Sequence, residues 1–167
     1  MGNQQLALSP LDLAYIAGII DGEGSISAHR NGNKKGLWYT PRLSVYNTDS
    51  DLIYWIRDCF QACGAGVYIN EHLREHGRKK QYVLQVHRLK SLLLILPLII
   101  PFLKQKKQRA EWLLEFCQRR VGAKPGTLYQ ERELELVALL FEANGDKRNN
   151  AQTVREAAHR LKRQSAP

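Results

Sequence analysis

The chain has 167 residues, with 25 lysines and arginines against 16 acidic residues and a formal net charge of +9. That length suits one domain that buries a core without staples, and a basic excess spread along the chain points to a polyanionic partner. Cys59, Cys63 and Cys117 are too few and too scattered for a disulfide framework or a zinc site, which leaves free thiols in a reducing compartment.

The first predicted helix opens with Ser9 as a cap, Pro10 in the first turn and Asp12 closing an approximate capping box, and it runs to about Gly22. Leu13, Ile16, Ala17 and Ile20 give it an apolar stripe. Ala14, Gly18 and Gly22 recur every four residues and form a second, smooth stripe that another backbone could approach closely. Two strands follow, Ser25 to Arg30 and Leu37 to Tyr46, joined by the loop Asn31 to Gly36. In the second, Thr40, Arg42, Ser44 and Tyr46 share a polar face, and Pro41, Leu43 and Val45 a dry one.

A helix from Asp51 to about Ala62, capped by Asp49 or Ser50, turns Ile53, Ile56 and Phe60 inward and stops at Gly64 to Gly66. The hairpin pattern then repeats, Val67 to Leu73 and Lys80 to His87, around the charged tip Arg74 to Lys79, where Gly77 can take a positive φ. Tyr68, Asn70, His72 and Arg74 share one face, while Tyr82, Leu84 and Val86 make the dry face of the partner strand. Leu92 to Leu103 is strongly apolar but only about twelve residues long and interrupted by Pro97 and Pro101, so it reads as a buried helix and not a membrane span. An amphipathic helix Lys104 to Arg120, a hinge at Gly122 to Gly126, a helix Tyr129 to Ala143 and a basic helix Thr153 to Arg163 complete the chain. The order αββαββα plus helices describes one α+β domain over 1–167, with a core at about 8–121 and C-terminal helices at about 127–164. No basic segment followed by an apolar core marks a secretory signal, so the expected location is intracellular, cytoplasmic or organellar.

A helix that ends in a small residue and a carboxylate offers hard oxygen ligands suited to Mg²⁺: Glu23 and the free carbonyls of the last turn. One carboxylate is a poor site, because phosphodiester hydrolysis gains from metals at both the attacking and the leaving oxygen. If the Ala14/Gly18/Gly22 stripe packs on its own copy across a two-fold axis, two Glu23 carboxylates meet. The same stripe could equally pack inside an ordinary core, with Glu23 as a solvated cap.

Ile16 to Gly24, IAGIIDGEG, resembles the LAGLIDADG signature of homing endonucleases and related maturases in length, in both acidic positions and in the small residues. Pro41 to Asp51, PRLSVYNTDSD, is similar to the end of that family's second strand and the start of its next helix, and Pro101 to Ala110, PFLKQKKQRA, to its basic segment after the fourth strand. With the element order, the resemblance covers roughly Leu8 to Val121. It implies a site-specific double-strand DNA endonuclease with a saddle-shaped antiparallel sheet in the major groove, the motif helices forming the interface between two αββαββα halves. A single motif implies a homodimer, a palindromic or near-palindromic site and short 3′ overhangs, with an RNA maturase acting on a host intron or an inactive DNA-binding regulator as alternatives.

Residue by residue, the resemblance makes Glu23 the metal-binding catalytic carboxylate, with the Gly22 carbonyl as a further ligand, Mg²⁺ as the cofactor, Mn²⁺ as a substitute and Ca²⁺ as an ion that binds without supporting cleavage. Lys106 matches the active-site lysine and Asp49 a polar residue that organises water; a surface lysine and a simple helix cap are the plain readings of the two. A second basic residue of some relatives is missing, because Ile53 stands there. The expected dimer contact comprises Ala14, Ala17, Gly18, Asp21 and Gly22, with Asp21 structural. Candidate base-reading groups are Ser27, His29, Asn31, Thr40, Arg42, Ser44 and Tyr46 on the first hairpin, and Tyr68, Asn70, His72, Arg74, Gln81 and Gln85 on the second. Arg30, Lys34, Lys35, Arg78, Lys79 and Lys80 suit phosphates, which position a protein without specifying sequence.

Overall fold

The computed structural model describes residues 8–33, 36–73, 79–124, 126–145 and 151–165. Lys34, Lys35, Arg74, Gly77 and Arg78 lie outside them. Helix α1 spans Pro10–Glu23 and starts as its sequence predicts: the Asp12 N–H donates to Ser9 Oγ at 3.2 Å, and the Ser9 N–H to Asp12 Oδ2 at 3.1 Å. Strand β1, Gly24–Asn33, begins at the next residue. A Cβ on Gly24 would lie 2.6 Å from the Ile20 carbonyl oxygen, so only glycine passes from helix to strand here without a connecting loop.

Strand β2, Gly36–Asn47, pairs antiparallel with β1, Ser27 opposite Arg42 and His29 opposite Thr40. The ribbon is longer than predicted, since Asn31, Gly32 and Asn33 belong to the ladder instead of a loop. Cross-strand bonding outweighs their weak strand propensity: the Asn31 side-chain amide donates to Thr40 Oγ1 at 2.8 Å and to the His29 carbonyl at 3.2 Å. Helix α2, Ser50–Ala62, is capped by Asp49, whose Oδ1 accepts the Leu52 N–H at 3.2 Å. Strands β3, Tyr68–His72, and β4, Gln81–Val86, complete one antiparallel sheet in the order β1-β2-β4-β3.

Helix α3, Leu89–Ile99, keeps Pro97 inside it and ends in a 3-10 turn, Ile100–Phe102. Helices α4, Lys107–Arg120, α5, Glu131–Ala143, and α6, Ala151–Ser165, follow. No helix among the described residues is long and apolar enough to cross a membrane.

The dry face of the sheet, with Ile26, Leu43, Val45, Leu84 and Val86, packs in one cluster with Ile16 and Ile20 of α1, Ile56 and Phe60 of α2, and Leu92 and Ile95 of α3. Each such aliphatic side chain, fully withdrawn from water, contributes roughly 1.5–3 kcal/mol. The same cluster takes in Leu136, Leu140 and Phe141 of α5, and Val154 and Ala158 of α6. The residues that flank α5 also tie down the back of the ribbon. The Tyr39 N–H donates to the Tyr129 phenol oxygen at 2.8 Å, and the Asn144 side-chain amide donates to the Ile26 carbonyl at 2.9 Å.

Candidate active site and nucleic-acid interface

Two helix ends meet beside the IAGIIDGEG segment. The Asp21 carboxylate accepts three successive backbone N–H groups, from Lys104 at 2.7 Å, Gln105 at 3.2 Å and Lys106 at 2.9 Å. In return the Lys106 ammonium donates to the carbonyls of Ile20 at 2.9 Å and Asp21 at 2.5 Å, the last turn of α1. Residues 104–106 are therefore not helical, contrary to the helix predicted from Lys104, because their N–H groups bind Asp21 and α4 begins only at Lys107. Partial burial pushes the Asp21 carboxyl up, but the three N–H bonds and the Lys106 charge outweigh it and hold the group below the usual carboxylate range. Burial pushes the Lys106 ammonium below the ordinary lysine range and Arg109 acts the same way, against Asp21 and Glu23.

Glu23 is exposed at the open side of this junction. Ala14, Gly18 and Gly22 are exposed too, and a Cβ built on either glycine would meet nothing within 4 Å. Leu11, 81% exposed, and Tyr15, 58% exposed, extend that face. Ala17 does not belong to it: at 0% exposure it is sealed in the protomer's own core and cannot touch a second copy. Asp21 is likewise committed within the chain. Asp49 is an exposed cap, with its own N–H bonded to Asn47 Oδ1 at 2.9 Å. Ile53 is fully buried.

The register places Ser27, His29, Asn31, Thr40, Arg42, Ser44 and Tyr46 on one face of the sheet with Tyr68, Asn70, His72, Gln81 and Gln85. Ser44 is the exception in access. It sits between Ser25 and Gln85 and is only 1% exposed, covered by its neighbours, so it does not offer its hydroxyl to a duplex. Among the described residues, Arg42 Nε and His87 Nδ1 on this face are buried with no hydrogen-bond partner. Continuing the β2–β4 register brings Arg42 opposite His87. The His87 ring stacks on Tyr68 with centroids 4.7 Å apart, and the Arg88 guanidinium lies 5.3 Å from the other partner's ring centre, that of Tyr68. Burial pushes the His87 imidazole below the ordinary histidine range, with Arg42 and Arg88 adding to the effect. Lys80 is turned away: it pairs with Glu71 and lies over the Tyr82 ring. Arg30 and Lys79 are exposed.

Residues 10–99 match the family model of the LAGLIDADG-like domain. The chain belongs to that family. Its fold is that of the LAGLIDADG homing endonucleases. The archaeal intron-encoded homing endonuclease I-Vdi141I, complexed with DNA, is similar with a TM-score of 0.69 and 19% identity over 91% of this chain and 97% of that one. I-CvuI, in complex with the I-CreI target in the presence of Mg with the DNA not cleaved, gives 0.60 and 22% over 90% and 94%. I-GzeII in complex with its DNA target gives 0.59 and 22%, over 79% of this chain but 44% of that one. Comparison with curated proteins gives no significant match.

At these identities the LAGLIDADG likeness carries the fold, and the matched segment stops short of Lys106, so that residue's place beside the motif rests on its own geometry. His87 and Trp38 also belong to the polar face, beyond the residues expected there. The alternation that selected Gln81 and Gln85 reaches His87 two residues later, and Trp38, 42% exposed, stands opposite Asn31.

Proposed function

We propose that the chain is a homodimeric, Mg²⁺-dependent, site-specific double-strand DNA endonuclease that cuts a near-palindromic site and leaves short 3′ overhangs. The observation that carries this reading is the open Ala14/Gly18/Gly22 face of α1, which leads directly to an exposed Glu23 beside a docked lysine. Exposed small and apolar residues on a helix otherwise sealed in the core suit a second copy of the same helix. A chain that matches less than half of I-GzeII suits half of a composite site.

The donor set fits a hard divalent cation. Among the described residues no three His, Cys, Asp or Glu side chains gather into a metal-binding group, so one chain offers Glu23 and the Gly22 carbonyl, oxygens that suit Mg²⁺ but do not complete its six ligands. A second Glu23 and a DNA phosphate would supply more. The bound ion would polarise the scissile phosphate and activate water. The chain's own residues do the rest: Glu23 anchors, Lys106 places a positive charge where the phosphate gains negative charge, and Asp49 stands as a polar group at the head of α2. Water adds to phosphorus as the bond to the leaving 3′ oxygen breaks. The polar face, with Arg42, Asn70 and Gln85 among its members, reads base edges, and Arg30 and Lys79 meet phosphates.

The test selects the cleaved site from a randomised duplex library and sequences the ends. Glu23→Gln should bind the selected site and lose cleavage on the order of 100-fold or more. Undiminished cleavage by that variant sinks the mechanism.

A further inference from the structure

We infer that Asp21 is a positioning residue for Lys106: its carboxylate fixes the backbone of residues 104–106 so that the Lys106 ammonium lies on the last carbonyls of α1, two residues before Glu23 in the chain. The inference deepens the endonuclease reading and rests on it for the chemistry that Lys106 performs, but not for the placement itself.

The two residues close a ring. The Lys106 N–H donates to Asp21 Oδ1 at 2.9 Å, and the same residue's Nζ returns to the Asp21 carbonyl at 2.5 Å. A lysine side chain has four rotatable bonds, so its charge is directed only when both ends are held. Asp21 holds one end through the backbone, and its own carbonyl receives the other. Each charge also faces a helix end that favours it, the Asp21 carboxylate facing that of α4 although α1 carries it. The anion sits at the N-terminal approach to α4, whose first backbone bond runs from the Ala110 N–H to the Lys106 carbonyl at 3.0 Å, and the cation at the C-terminus of α1. Lys104 and Lys107, its neighbours, are exposed. Lys106 is half-buried because the segment before it is pinned.

The experiment reads Lys106 directly and then through catalysis. Limited acetylation with acetic anhydride, followed by mass spectrometry, compares Lys106 with Lys104 and Lys107 in the same molecule. In the wild type Lys106 should react several-fold more slowly than either; in Asp21→Ala that protection should vanish, and in Asp21→Asn, which keeps one acceptor oxygen, it should fall partway. Protection that persists in the folded variants overturns the inference. On the selected DNA site, Asp21→Ala and Lys106→Ala should each lower kcat with KM unchanged, and the double variant should lose no more than Lys106→Ala alone. Losses that multiply would show two independent roles and also overturn it. A wild type that cuts no DNA would instead sink the proposed function, with the acetylation result still deciding the role of Asp21.

Discussion

The α1–α4 junction and the polar face of the sheet sit on the same protomer and are built in opposite ways. At the junction, the Asp21 carboxylate takes three N–H groups and the Lys106 ammonium two carbonyls, so both charged groups are held within the chain. On the sheet face, Arg42 Nε and His87 Nδ1 are buried with no hydrogen-bond partner among the described residues. A buried donor or acceptor left unpaired costs free energy. The contrast is one of bonding: the charged groups of the junction are paired within the chain, and these two atoms of the sheet face are not, which under the proposed function divides the tasks of the two regions into placement and recognition.

The largest effect should come from the open face of α1, where the proposed second copy would pack. Gly18→Leu places a side chain in space that is empty in the protomer, so the chain should fold, remain monomeric by light scattering and lose cleavage to background. A dimer that still cuts would remove the stripe from the interface. Next in size, Arg42→Ala should weaken binding to the selected site by roughly 1–3 kcal/mol while leaving the melting temperature near that of the wild type. An equal loss on unrelated duplexes would make Arg42 a phosphate contact and blur the division of tasks.

Smaller effects test the supports. Tyr129→Phe removes the acceptor of the buried Tyr39 N–H and should cost about 1–2 kcal/mol of stability by denaturant titration, without changing sequence preference. A changed preference would mean that α5 shapes recognition as well as stability. The smallest effect is a pH slope. His87 is held below the ordinary histidine value of 6.5 by burial and by Arg42 and Arg88, so between that lowered value and pH 6.5 the unfolded chain binds more protons than the folded one. Stability should therefore fall as pH drops below about 6.5 and be unaffected by this group above it. His87→Gln should flatten thermal midpoints over that interval, and an unaltered slope would discard His87 as the source.

Much of this was legible in sequence, for reasons that differ by region. Alternation placed Pro41, Leu43 and Val45 on the dry face because strand side chains alternate whatever surrounds them, but alternation does not register cover, and Ser44 disappeared beneath its neighbours. The four-residue spacing isolated Ala14, Gly18 and Gly22. It could not tell that Ala17 lies in the core while these three stay open, since small residues serve both settings. Local strand propensity makes Asn31 to Asn33 a loop, while the bond from Asn31 to Thr40 that holds them in the ribbon crosses the ladder.

The sequence by itself determined the element order, the face each strand turns inward and the family to which IAGIIDGEG belongs, because all three depend on residue type at short, fixed spacings. Tertiary structure alone decided that Lys104 to Lys106 leave the helix and that Lys106 turns back toward α1. Lysine and glutamine favour a helix locally, and only the carboxylate of Asp21, 83 residues before Lys104 and brought alongside by packing of the core, offers their N–H groups a charged acceptor instead.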